Sequence, residues 1–172
     1  MKKRLCVTLA IFVILAFAGC SMLRYVSMEA EDMQNLPDDE MIAALLMQLG
    51  AEEFASLNES QKAVYTAAAL EMEILNGGMV QFLSNEAANA APYVCEALEK
   101  IGATEHLALL QADLQKNSID LAELSAFNTF DMDAFSKLYE QYDFETFDSA
   151  YEALPSVPEY IRAYMQAHIE DF

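Results

Sequence analysis

Glu73, Asn76, Gln81 and Asn85 flank the glycine pair Gly77-Gly78, all within about three turns at the helical rise per residue. One carboxylate and three amides at that spacing can bond one another across a chain reversal, or they can line a polar pocket. Buried polar groups are paired, most often for structural reasons, so this cluster reads as a hydrogen-bonded corner. A second set is purely acidic: Glu140, Asp143, Glu145, Asp148 and Glu152, extended by Glu159. Carboxylates three or four residues apart on a helix lie about 5–6 Å apart at Cβ, close to the spacing of phosphates along a nucleic-acid strand, where duplex DNA carries one charge per ~1.7 Å of axis. Such a row can imitate a polyanion, or it can be an ordinary solvated face. Each like-charged pair costs about 0.2–0.5 kcal/mol, so the row is tolerated rather than preferred.

Other chemistry is sparse. His106 and His168 are isolated from further metal-ligating types, and no zinc-protease, paired-cysteine, nucleophile-elbow or phosphate-loop pattern occurs. Asp131-Met-Asp133 begins like a calcium loop but lacks its glycine and distal glutamate. Cys95 has no evident base beside it and reads as a small buried apolar residue. Tyr139, Tyr142, Phe144, Phe147, Tyr151, Tyr160 and Tyr164 read as core rather than a ligand cage. With carboxylates this abundant, no single pair marks acid-base catalysis. The expectation is a binding protein with no catalytic residues, no metal and no cofactor.

The charge balance narrows the partners. Of 172 residues, 28 are acidic and 9 basic. Removing residues 1–19 takes away Lys2, Lys3 and Arg4 and no acid, leaving 28 against 6, a net charge of −22. A surface of that sign repels nucleic acid and anionic headgroups and attracts cationic protein surfaces. No direct nucleic-acid binding is therefore expected. A hydrophobic content of 55% argues against disorder and for one folded core.

Residues 1–19 read as an export segment. Met1 to Arg4 is positive, Leu5 to Phe17 is apolar and too short to span a bilayer, and Ala18-Gly19-Cys20 follows. This layout resembles a bacterial lipoprotein signal, with Phe17 where leucine is usual. The resemblance implies that Cys20 is lipidated and becomes the mature N-terminus, since two or more acyl chains anchor stably. Ser21 after the cysteine favours an outer membrane where there is one. The expected location is the cell envelope, anchored through Cys20 to a membrane and facing the periplasm or exterior. A start at Met22 or Met28 would instead yield a cytoplasmic form. Cys6, Cys20 and Cys95 form no disulfide framework.

The elements that must position these groups are helical. Residues 20–35 read as lipidated cysteine plus polar tether, and residues 36–172 as one acidic domain. Asn35 can cap a helix containing Pro37, Asp38, Asp39 and Glu40, with Ile42, Leu45, Leu46 and Leu49 as its stripe and Gly50 as its stop. Asn58 and Gln61 have capping-box spacing and begin the main helix. Val64, Ala68, Met72 and Leu75 form one stripe, and Ala67, Leu70 and Ile74 its neighbour. A face that wide predicts a central helix covered by several partners. The helix should break at Asn76-Gly77-Gly78, with a short second helix over 79–84. Residues 87–91 read as a loop before a helix opened by Pro92 and ended by Gly102. Thr104 should cap the next, closed at Asn117-Ser118. Residues 119–130 have poor periodicity. Asp131 or Asp133, then Asp143, then Ser156 (with Pro158 and Glu159) should cap the last three helices. Nothing alternates with period two, so the class is all-α, a multi-helix bundle with short loops.

One stretch carries a family resemblance. Glu73-Ile-Leu-Asn76-Gly77-Gly78-Met79-Val-Gln81-Phe82-Leu-Ser-Asn85, followed by Ala97-Leu98-Glu-Lys-Ile101-Gly102-Ala103, resembles the signature of the bacterial DNA-mimic protein family. It extends over Leu57 to about Leu114, and more loosely over the aromatic-rich end. Met79 stands where the family has an aromatic, which preserves apolar bulk. The resemblance implies an α-helical fold, no enzymatic activity and, in the family's characterised member, an acidic surface that occupies the DNA site of a transcriptional regulator. An exported domain would meet no such regulator, so a different basic protein partner is expected for a lipid-anchored form.

Overall fold

The computed structural model describes residues 28–128 and 132–172. Cys20, the export segment, the first part of the tether and Asp131 lie outside the described residues. Among the described residues eight α-helices follow one another: α1 (Ala30–Met33), α2 (Asp38–Leu49), α3 (Glu59–Glu86), α4 (Val94–Lys100), α5 (Thr104–Asn117), α6 (Met132–Gln141), α7 (Glu145–Tyr151) and α8 (Val157–Ala167). Short 3₁₀ turns lie between or after them. The described residues contain no strand, so the all-α reading holds.

α3 is the central element. It packs against α2, α4, α6, α7 and α8, as the width of its apolar face requires. Its start follows the capping box: the Asn58 side chain accepts from the Gln61 backbone N–H at 2.8 Å, and the Gln61 side chain accepts from the Asn58 N–H at 3.1 Å. Ala63, Val64, Ala67, Ala68 and Leu70 are wholly buried. After the kink, Met79, Phe82 and Leu83 are also at 0% exposure, each worth roughly 1.5–3 kcal/mol in apolar burial. Met79 thus keeps the apolar place expected of it.

Several helix starts differ from expectation. Pro37, not Asn35, occupies the cap position of α2. The Asn35 amide instead donates to the Glu31 carbonyl of α1 at 2.8 Å, and α1 buries Ala30 and Met33, so the last part of the expected tether belongs to the core. Ala103 precedes α5 and Thr104 is its first residue, with no side-chain cap. Phe144 holds the cap position of α7, although Asp143 still accepts from the Glu145 backbone N–H. Ser156 stands at the start of α8, but its hydroxyl makes no cap bond there and lies 3.5 Å from Asp38 instead. Two of these side chains are drawn to distant partners, Asp143 to Lys116 and Ser156 to Asp38, while Asn35 bonds back onto the preceding helix, a local alternative to capping.

The stripe on α3 also needs correction. Met72 and Leu75 are 37% and 62% exposed, so their edge of the helix is left uncovered. Gly50 and Gly102 end their helices as expected, and Ser118, after α5, adopts φ 54°. Of the aromatics expected in the core, Phe144, Phe147 and Tyr151 are buried, while Tyr139 is 47% exposed. Among the described residues, no helix is long and apolar enough to cross a membrane.

Candidate functional site

The glycine corner is a kink inside α3. Gly77 has extended φ (−162°), and Gly78 has φ 77° with ψ −175°, a combination essentially reserved for glycine. Two groups freed by the kink are taken up by distant parts of the chain. The Met79 N–H, first donor of the second helical half, is accepted by Asp148 Oδ1 at 2.9 Å. The Gly77 carbonyl accepts from the Tyr139 hydroxyl at 2.5 Å. Asp148 thus caps a helix to which it is not joined, a favourable place for negative charge. Burial still pushes its carboxyl above the usual range.

The polar cluster forms around one atom. Glu73 Oε2 accepts from Gln81 Nε2 at 2.5 Å and from Asn85 Nδ2 at 2.9 Å. These two bonds span the kink and hold its two helical halves together. Asn76 takes no part in this network and faces a groove lined with Leu75 and Asp39. Near the end of α3, burial pushes the Glu86 carboxyl up to about 7, with the nearby Glu73 charge adding to it. One Glu86 oxygen is buried and has no hydrogen-bond partner among the described residues.

The acidic row is not one helix face. Glu140 belongs to α6, Asp143 to the turn after it, Glu145 and Asp148 to α7, and Glu152 to the residue following. The α6–α7 corner nevertheless gathers these five around one concavity of about 510 Å³ that also includes Tyr139, Tyr142 and Ser149. Glu159 lies on α8 and is exposed, but it does not line this concavity.

The end of α5 positions the turn. Lys116 Nζ donates to the Asp143 carboxylate and carbonyl, both at 3.0 Å, while Asn117 accepts from the Asp143 N–H at 3.2 Å. The Lys116 ammonium holds the Asp143 carboxyl below its usual range. Two of the five acids are therefore engaged, Asp143 with Lys116 and Asp148 with the kink. Glu140, Glu145 and Glu152 stand exposed.

Sequence reasoning missed the link between the two sites, because Met79 and Asp148 are 69 residues apart. A usable signal existed: a helix restarting after Gly78 has an orphan N–H that needs an acceptor from somewhere. It also missed the part-buried pair in which the Tyr151 hydroxyl donates to Glu71 Oε2 at 2.8 Å. His106 is 1% exposed, with Tyr151 and Tyr160 packed edge-on against it, and burial lowers its pKa. His168 is half-exposed beside Asp171. Cys95 is half-buried, with its thiol pushed up by burial. No group of three or more His, Cys, Asp or Glu among the described residues is arranged to hold a metal ion.

Comparison with known proteins places this arrangement. No curated protein and no solved structure matches the chain. A family model described as DMP19-like protein matches residues 55–168, a span that holds α3, the glycine corner and the whole acidic concavity. With that span covering well over half of its length, the chain belongs to the DMP19-like family of DNA-mimic proteins.

Proposed function

We propose that this chain is a lipid-anchored acidic domain that acts by binding a basic protein partner through the α6–α7 concavity, without catalysis. The observation that carries the reading is the convergence of Glu140, Asp143, Glu145, Asp148 and Glu152 around one concave surface. Four of the described basic side chains are already in ion pairs: Lys62 and Lys100 with Glu59, Lys116 with Asp143, and Arg162 with Asp38. None of these four pairs with Glu140, Glu145 or Glu152, and a basic surface is steered toward these outward carboxylates. The anchor is a lipid on Cys20, which puts the concavity outside the cytosol. Catalysis, a cofactor and direct nucleic-acid binding have no place in this reading.

Family membership favours a second reading, a cytoplasmic form started at Met22 or Met28 that occupies the DNA-binding surface of a transcriptional regulator. Fractionation decides between the two. Membrane recovery that is lost in Cys20→Ser supports the anchor, whereas soluble recovery of both proteins rejects it. Pull-down at low and high salt tests the binding surface: retention should fall steeply as salt screens the contact. A partner whose retention ignores salt, or survives Glu140→Gln/Glu145→Gln/Glu152→Gln unchanged, would refute the acidic face.

A further inference from the structure

A second concavity, of about 410 Å³, lies between the start of α2, the middle of α3 and the start of α8. Its walls combine two chemistries. Ile42, Met72, Leu75 and Pro158 are apolar, while Asp38, Asp39 and Glu71 are acidic, and among the described residues no basic side chain lines it. Met72 and Leu75 are two of the three large hydrophobics that stand exposed among the described residues, and both belong to this groove. Both side chains thus present apolar surface to the groove rather than to the core.

The acids say what kind of group covers it. Asp38 is paired with Arg162, which lies outside the lining, leaving Asp39 and Glu71. Glu71 is half-buried and accepts one hydrogen bond, from Tyr151. An anionic occupant would meet repulsion. A purely apolar one would strip water from Glu71 without compensating it. A cation flanked by aliphatic carbons satisfies both walls. We propose that this groove docks a short segment of a protein partner carrying one lysine or arginine between aliphatic side chains. The site is separate from the α6–α7 concavity and recognises apolar surface as well as charge.

The test is fluorescence anisotropy of a labelled Gly-Ser peptide bearing one lysine between two leucines, titrated with the full chain. Binding is expected for this peptide, and it should be lost when its lysine is replaced by glutamate or its leucines by serine. Leu75→Asp and Glu71→Gln should each weaken it by about tenfold, as for an anchoring contact at an interface. Glutamine at position 71 still accepts from Tyr151, and Leu75→Ala, expected to weaken binding in the same direction, guards against misfolding of the aspartate variant. Affinity that falls for Glu145→Gln and not for Glu71→Gln would place the peptide on the α6–α7 concavity and overturn the proposal, which separates failure here from failure of the acidic-face reading. The proposal is overturned if no peptide binds, if the glutamate or serine peptide binds equally well, or if Leu75→Asp and Leu75→Ala are without effect.

Discussion

The contact between Asp148 and the Gly78 kink makes a sharp energetic prediction. A Cβ built on Gly78 would lie 2.3 Å from Asp148 Oδ2, so Gly78→Ala must push that carboxylate aside. The Met79 N–H then loses its charged acceptor, a loss of about 2 kcal/mol for a hydrogen bond to an ionised group at a buried donor. Alanine at φ 77°, ψ −175° adds about 2 kcal/mol of backbone strain. Gly78→Ala should therefore destabilise by about 4 kcal/mol in all, and Asp148→Ala, which loses only the bond, by about 2 kcal/mol. The double variant again loses one bond and bears one strain, so it should match Gly78→Ala alone. Coupling of about 2 kcal/mol follows, whereas independent sites add within about 0.5 kcal/mol. Urea unfolding of the four proteins, followed by far-ultraviolet circular dichroism, measures all the terms. Simple additivity would refute the idea that the two residues act through one hydrogen bond.

Two further outcomes are expected. The Glu86 carboxyl, raised from 4.5 to about 7, binds a proton more readily in the folded chain, so its contribution is full below the unfolded value and is lost as pH rises through the folded one. That span corresponds to about 3 kcal/mol, reduced by partial exposure to about 1–2 kcal/mol. Glu86→Gln should remove this loss, making the variant more stable than the parent at alkaline but not at acid pH in unfolding curves; equal pH slopes would contradict it. Asn58→Ala should lose about 1 kcal/mol for the α3 cap, together with the Asn58 bond to the Asp171 carbonyl at 2.7 Å. Asn58→Asp should restore the cap alone, and hydrogen exchange at residues 169–171 would report the difference.

Local signals in the chain were sufficient for much of the fold. The capping box at Asn58 and Gln61, the stops at Gly50 and Gly102, and the break at Gly77-Gly78 each depend on neighbours within a few residues. Backbone geometry and side-chain reach alone decide them. The Glu73, Gln81 and Asn85 cluster was legible for the same reason, since a kink of known place brings those side chains together. The acidic residues were legible only as a set. A charge row has no preferred shape, and nothing local told which carboxylates would turn inward.

Tertiary structure decided the rest. Asp148 was one acid among several until α7 docked against α3 and supplied the acceptor that Met79 lacked. Met72 and Leu75 shared a helical period with Val64 and Ala68, yet no neighbouring helix reaches their edge, so they line a groove instead of the core. Ser156 had the right chemistry for a cap, but the packing of α8 against α2 turned its hydroxyl toward Asp38. The physical reason is common to all of these. Periodicity and capping follow from short-range sterics, whereas burial and the partner of a charged group depend on which surfaces meet in space, and sequence separation carries no record of that.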